Sequence, residues 1–437
     1  MTTAAWSGHR APTRRLGVLF AGLGSISTTL IAGVQAIKRG LGRPVGSLAL
    51  LGSLDTGTPQ APKHSYIKDC LDLVPLENLV FGGWDIVQTD GYAAAKRAAV
   101  LQPELLDQLQ PELSAIKPWP GIFDSRFNRR SDIFYYKKAR DFVELVDQVK
   151  SDILRFQDEN NLDRSVLLWC GSTEAYLELS SAHQSLAAFE AAMRQSDHAV
   201  IAPSMIYAYA ALSLGLPFVN ATPSRTVDIP ALTELAAASG APVAGKDLKT
   251  GQTLLKTILA PGLRDRMLGL EGWFSTNILG NADGETLDDP AAFKTKQESK
   301  LAVLRSMLRP DLYPDLYGSF HHEVKINYYP PAGDNKESWD AIDIFGWLDY
   351  PMSIRVDFLC RDSILAAPLL LDLALFMDLA KRAEMSGPQE WLGFYFKSPM
   401  MANGRPPEHE LSKQLITMQQ QLRRWAGASS ATAVSTG

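Results

Sequence analysis

Across residues 16–250, short apolar runs take turns with helix-spaced segments, and few folds can use that alternation. Leu16–Ala21, Val45–Leu51, Leu79–Val87, Ser165–Cys170, Ala199–Ala202, Pro217–Asn220 and Pro242–Ala244 each read as a short buried strand. Between most of them lie segments of helical periodicity at 91–101, 140–157, 184–195, 205–214 and 230–239. Ile26, Leu30, Val34 and Ile37 mark the inner face of one more helix, directly after the first run. Neighbouring parallel strands need a crossover, and a helix supplies it. The expectation is therefore an α/β fold with a Rossmann-like doubly wound parallel sheet. Residues 1–15 read as a disordered tail, and 103–139, rich in Pro, Trp and basic groups, as an insertion on the sheet.

Beyond about residue 250 the texture changes. Val324, Ile326 and Tyr328 alternate with Glu323, Lys325 and Asn327, while Ile354, Val356 and Phe358 alternate with Arg355 and Asp357. Period two marks half-buried strands. Residues 251–360 are thus expected to form a second α+β domain with a mainly antiparallel sheet. A helix from Ile364 onwards would return the chain, so that 361–437 completes the first domain. That apolar stretch contains Pro368, Asp372 and Asp378, which suits a buried helix better than a membrane span.

Composition excludes several classes. With 46% hydrophobic and 21% charged residues, the chain has the balance of a soluble globular protein. A net charge of −5 gives no reason to expect nucleic acid or an anionic membrane as partner. The three cysteines, Cys70, Cys170 and Cys360, form neither a disulfide framework nor a zinc pattern, and the seven histidines lack metal-ligand spacing. No metal is expected, and a reducing cytoplasm fits best. Arg14-Arg15 before an apolar run resembles a twin-arginine signal, but Gly22 and Gly24 interrupt the run and no A-x-A site follows.

Several motifs carry chemistry. In LGVLFAGLGSISTTLIAG, Gly22 allows a tight turn and Gly24 lets a pyrophosphate approach the helix N-terminus, although Ser27 replaces the usual third glycine. Thr250-Gly251-Gln252-Thr253 opens another helix with free N–H groups and two hydroxyls, beside Asp247 and Lys249. That turn suits either a phosphate monoester or a simple cap by Thr250. Asn277, Asn281 and Asp283 sit in a Gly-rich stretch that suits a polyol or a plain turn. In FKTKQESKLAVLRSML, Lys296 and Lys300 share a helical stripe with Val303 and Met307, flanked by Leu301, Leu304 and Leu308. Burial and mutual repulsion there lower a lysine pKa towards proton transfer, whereas snorkelling leaves it ordinary. Lys325 and Asn327 share one strand face, which taken alone is better explained by a cross-strand ion-pair row with Arg355 and Asp357 than by a site. Lys397 stands among the aromatics of GFYFKSPM.

In this order, GLGSISTTL, VFGGWD, LWCGSTEAY, VNATPSRT, GKDLKTGQT, STNILGNADG, FKTKQESK, PAGDNK, CRDSILAAPLLLDL and FYFKSP resemble the inositol-3-phosphate synthase (myo-inositol-1-phosphate synthase) family. They run from about residue 16 to 400, most of the chain. The resemblance implies conversion of D-glucose 6-phosphate to 1D-myo-inositol 3-phosphate with NAD⁺: oxidation at C5, proton loss at C6, intramolecular aldol closure, then reduction. It also implies a homotetramer built through the second domain's sheet.

Carried over by position, the resemblance brings Gly22, Gly24, Ser25 and Ile26 to the pyrophosphate and Asp85 to the adenine ribose. Gly171, Ser172, Thr173, Asn220 and Asp247 line the cofactor, and Asp362 its nicotinamide region. Thr250, Gly251, Gln252 and Thr253 hold the substrate phosphate, and Asn277 and Asn281 the polyol. Lys296 handles the C5 hydroxyl proton, Lys300 the phosphate or enolate, and Lys397 oxygen charge during closure. A further family lysine falls on Asn327, with Lys325 two residues earlier as its replacement. Ile278 stands where eukaryotic members have His, and Ala282 where they have a second Asn. The first Gly-rich turn is one residue shorter. Such departures leave open a paralogue acting on another sugar phosphate, such as fructose 6-phosphate closing to a five-membered cyclitol.

Overall fold

The computed structural model describes residues 15–56, 63–128, 135–280, 301 and 303–434. The chain divides into two compact units, one comprising residues up to Leu248, Ala367–Arg405 and the chain from Thr417, the other Lys249–Ala366 and Pro406–Ile416.

In the first unit, strands β1 (Leu16–Ala21), β4 (Leu79–Asp85), β5 (Trp119–Pro120), β6 (Arg164–Trp169), β7 (Phe218–Asn220), β8 (Pro242–Ala244) and β13 (Gly387–Pro388) form one sheet. Its order is β13-β8-β7-β6-β1-β4-β5, parallel throughout. β1 is buried at every position, as a strand covered on both faces must be. The order reverses direction at β1, between β4 and β6, which is where doubly wound sheets open a crevice at their carboxyl ends.

Two of the expected strands are absent. Val45–Leu51 contains a helical turn, Leu48–Leu51, because Ser47 Oγ accepts from Leu50 N at 3.2 Å and the buried Asp372 accepts from Leu48 N at 2.7 Å. Strand β2 (Ser53–Asp55) follows it and pairs only with β3 (His64–Tyr66), outside the main sheet. Ala199–Ala202 is a turn closed by Val200 N and Ile201 N on Asp197 O, leading into the helix Pro203–Ser213. Ile201 and Ala202 are buried without joining a ladder, while Ala199 is exposed.

In the second unit, β9 (Gly269–Leu279), β10 (His321–Tyr328), β11 (Asn335–Phe345) and β12 (Pro351–Arg361) form a sheet in the order β10-β9-β11-β12. β10 runs parallel to β9, and the other pairs are antiparallel. The inner face carries Trp273, Ile342 and Ile344, which pack with Val303, Leu304, Met307 and Leu308. Arg305 and Arg309 are exposed, so the described part of the 293–308 stripe buries the face that the sequence marks. Lys296 and Lys300, earlier on that stripe, lie outside the described residues. The helix Asp362–Arg382 has the length and mean hydropathy (1.9) of a membrane span but is mostly buried within the fold.

Candidate functional site

In the first unit the expected nucleotide contacts gather at the carboxyl ends of adjacent strands. Gly22 follows β1 at φ +106°, and a Cβ there would lie 2.7 Å from Gly171 N and 2.8 Å from the carbonyl of Cys170. Only glycine fits. Gly24 caps the helix Ser25–Lys38, and a Cβ on it would meet no atom within 4 Å, so its surroundings are open. The first-turn N–H groups around Ser25 and Ile26 have no intrahelical acceptors and face that space. Ser27 donates to Gly22 O at 2.7 Å, so the residue in place of the third glycine locks the turn. Asp85, ending β4, accepts from Leu23 N at 2.7 Å and from Val87 N at 2.9 Å. These backbone groups hold its carboxylate at the turn, with lone pairs left for hydroxyls.

Gly171, Ser172 and Thr173 follow β6, Ser172 being exposed. A Cβ on Gly171 would strike the Trp169 ring at 2.8 Å. The segment is fastened at Glu174, whose buried carboxylate accepts from Ser204 N at 2.8 Å and Ser204 Oγ at 2.5 Å. Burial raises that carboxyl to about 7. Asn220, expected to line the cofactor, spends its side chain on its own turn: Nδ2 donates to Ser224 O at 2.7 Å and Oδ1 accepts from Thr222 N at 3.0 Å. It shapes the loop from beneath.

Asp247 and Lys397 are brought together. Asp247 has φ +63°, Lys397 N donates to its carbonyl at 2.6 Å, and Lys397 Nζ donates to its carboxylate at 2.8 Å. Both side chains are about four-fifths buried, at 21% and 19% exposure.

The second unit builds the other cluster. Thr250 N-caps the helix Gly251–Asp265 through its backbone alone, without a side-chain capping bond, which removes the simple-cap reading. Thr250, Gln252 and Thr253 are buried. A Cβ on Gly251 (φ +57°) would lie 3.2 Å from Lys336 Nζ and 3.4 Å from Asp362 Oδ1, and Lys336 donates to Asp362 at 2.8 Å. An ammonium therefore stands over the helix N-terminus that was expected to take a phosphate. Asp362, linked by the resemblance to the cofactor, is placed here. Asn277 Nδ2 donates to Gln252 Oε1 at 2.6 Å. Lys249 turns away from the cluster and donates to Gln414 Oε1; burial lowers its ammonium to about 7.

Two expected site residues are misplaced. Lys325 and Asn327 lie on the exposed face of β10, opposite the buried face that carries Val324. β9 pairs Asn277 with Ile326, so the Asn277 cluster faces the other side of the sheet. Lys325 pairs with Glu323 at 3.2 Å. Nor is it beside Arg355, because β10 and β12 are opposite edges; Arg355 bonds Asp343 on β11 at 3.1 Å. The ammonium placed beside Gly251 is instead that of Lys336, at the start of β11. Its signal was present in PAGDNK, nine residues beyond Asn327. Asn281, Lys296 and Lys300 lie outside the described residues. Among the described residues no cluster of His, Cys, Asp and Glu could hold a metal ion.

Residues 16–423 match the family described as myo-inositol-1-phosphate synthase. An inositol-3-phosphate synthase of Bacteroides thetaiotaomicron is 51% identical over 95% of this chain and 96% of its own. Isozyme 2 of the Arabidopsis thaliana enzyme is 31% identical, over 94% of this chain and 86% of its own. The crystal structure of inositol-3-phosphate synthase from Caenorhabditis elegans superposes with a TM-score of 0.87 at 27% identity, covering 97% of this chain and 88% of that one.

Proposed function

This chain belongs to the myo-inositol-1-phosphate synthase family, and from that premise we propose how its residues divide the work. It is an NAD-dependent isomerase that cyclises D-glucose 6-phosphate to 1D-myo-inositol 3-phosphate. The observation that carries the assignment of residues is the ammonium of Lys336 beside Gly251, over a helix start without a side-chain cap. A dianionic phosphate needs both.

The nucleotide fits the first unit. Gly22 brings the backbone close, Gly24 leaves open space before free N–H groups, and Asp85 is held at the adjoining strand end. Bound NAD⁺ supplies a reversible hydride acceptor for C5, so the cycle consumes no net reductant. Thr250, Gly251, Gln252 and Thr253 receive the phosphate through backbone N–H groups and hydroxyls, with Lys336 as counter-charge held by Asp362. Lys397, fixed by Asp247, stabilises negative charge on the reacting oxygen as the C1–C6 bond forms, and Asp247 keeps its proton localised at Nζ. To Lys296 we assign the C5 hydroxyl proton and to Lys300 the enolate or phosphate, on the resemblance of FKTKQESK.

The protein is further proposed to be cytoplasmic and tetrameric. β12 is a sheet edge, and Trp347, Leu348, Tyr350 and Leu359 expose apolar surface in it and in the turn before it, as an edge meant for another subunit does. Light scattering on the purified chain checks the mass.

The function is tested by incubating the protein with NAD⁺ and glucose 6-phosphate. Product NMR is expected to show a six-membered inositol phosphate without accumulation of NADH absorbance. Accumulating NADH, or a five-membered cyclitol formed from fructose 6-phosphate alone, would overturn it.

A further inference from the structure

Beneath the substrate turn a hydrogen-bonded chain runs from a buried carboxylate to Asn277. Asp340, on β11, is 3% exposed and accepts at both oxygens. Oδ1 takes Trp273 Nε1 at 2.8 Å and Ser275 Oγ at 2.5 Å, and Oδ2 takes Gln252 Nε2 at 3.0 Å. The same Gln252 nitrogen also donates to Thr276 O at 3.0 Å. A carboxylate and a peptide carbonyl both only accept, so chemistry fixes which end of the Gln252 amide is nitrogen.

The consequence passes outward. With its NH₂ committed, Gln252 presents only Oε1 to Asn277, and Asn277 must answer with Nδ2, at 2.6 Å. The Asn277 oxygen is thereby left as the free end of the relay; Oδ1 has no hydrogen-bond partner among the described residues. Behind the chain, Lys256 supplies positive charge near Asp340, with its Nζ 3.0 Å from His322 Nε2 and 5.2 Å from the Trp273 ring centroid.

We propose that Asp340 is a positioning residue that, through Gln252, turns the Asn277 carbonyl oxygen towards the substrate, so that this subsite selects a hydroxyl donating its hydrogen. Phosphate and carbonyl oxygens, which cannot donate, are disfavoured there. Gln252 in turn serves the phosphate by its backbone N–H and not by its amide. The proposal rests on the sugar-phosphate reading of the turn and names what that reading leaves open: how the chain end bearing the phosphate is told from the hydroxylated end.

The test pairs Asp340→Asn with singly deoxyfluorinated glucose 6-phosphates, in which C–F replaces one hydroxyl and cannot donate. Trp273 can only donate, so in the variant the new amide keeps its oxygen on Trp273 and turns its nitrogen towards Gln252. Thr276 O still calls for the Gln252 nitrogen, so the two demands on that amide now conflict. Gln252 loses its single orientation, and Asn277 no longer presents its oxygen uniformly. The wild-type protein is expected to bind one analogue of the panel about 10-fold more weakly than glucose 6-phosphate, the loss of one hydrogen bond. In the variant that one penalty shrinks towards unity, while the other analogues keep their ratios. A merely structural role would lower all affinities alike, and that result, or an unchanged pattern, overturns the proposal. If Asp340→Asn does not fold, Gln252→Met breaks the relay without removing a charge and is read by the same ratios. Wild-type protein that neither binds nor turns over glucose 6-phosphate would instead sink the functional reading itself.

Discussion

The nucleotide turn of the first unit is shaped by backbone, whereas the substrate turn of the second is shaped by side chains from four separate segments. At Gly22 and Gly171 a single extra carbon meets main-chain or ring atoms at 2.7–2.8 Å. At Gly251 the nearest atoms are the ends of Lys336 and Asp362, and Gln252 is fixed by Asp340 and Asn277. A backbone site tolerates no added volume but little depends on any one side chain. A side-chain site should fail one role at a time.

The largest expected effect follows from that contrast. Lys397→Ala is expected to lower kcat by roughly 100- to 1,000-fold, the usual worth of a cation at developing oxygen charge. Lys336→Ala is expected to raise the KM for glucose 6-phosphate by roughly 10- to 100-fold, the worth of a charged hydrogen bond to the phosphate. NAD⁺ affinity should stay within about two-fold, since neither lysine shapes the nucleotide turn. Stopped-flow turnover and calorimetric NAD⁺ titration separate the two quantities. Equal loss of both would erase the distinction between the sites. Gly22→Ala should reverse the pattern: a residue forced to φ +106° against backbone costs on the order of 2–3 kcal/mol. NAD⁺ binding and thermal stability should fall together, and an alanine variant with wild-type nucleotide affinity would show that the turn is looser than its geometry.

The same contrast explains how much of the site is legible in the sequence. Gly22 and Gly24 are local in sequence and follow a strand whose burial writes itself as a continuous apolar run, whereas Asp85, which meets Leu23 across 62 residues, comes only through the resemblance. The Lys397–Asp247 pair spans 150 residues and Lys336–Asp362 spans 26; neither has a periodic signature, so neither pairing is legible in the sequence. Lys325 on β10 has the residue type that the resemblance asks for, but its alternation with Val324 puts it on the wet face. Asp340 did leave a trace. Ser338, Asp340, Ile342 and Ile344 share the buried face of β11, and an acid at such a position must be satisfied by partners. Val45–Leu51 misled because its apolar run imitates a strand, while Leu48–Leu51 are good helix formers capped by Ser47 and by a distant carboxylate, Asp372.

Next in size is a pH effect confined to the side-chain site. Burial holds the Lys256 ammonium at about 8, below its ordinary 10.5, with Asp340 opposing the shift. Below about 8 the amine is charged in both folded and unfolded chains, and the penalty of burying it is complete. Between 8 and 10.5 the unfolded chain holds the proton more tightly, so stability rises with pH until the penalty vanishes. Lys256→Met lacks this dependence. Denaturant titrations across that window should show wild type gaining on the variant as pH rises, and parallel curves would place the amine in contact with water.

The smallest expected effect separates the two reasons a turn keeps glycine. Gly24 lies two residues from Gly22, yet a Cβ on it meets no protein atom within 4 Å. If glycine is there for the fold, Gly24→Ala should destabilise; if it is there for close approach of a ligand, it should not. The open surroundings favour the second. The substitution is expected to change stability by less than about 0.5 kcal/mol, as a surface change does. It should weaken NAD⁺ by roughly 10-fold, because the new methyl occupies the ground where the pyrophosphate nears the helix N-terminus. The adenosine portion alone, lacking that phosphate bridge, should bind both forms equally. A variant that loses adenosine as well would mean that the methyl has moved the turn, and the two glycines would then share one cause.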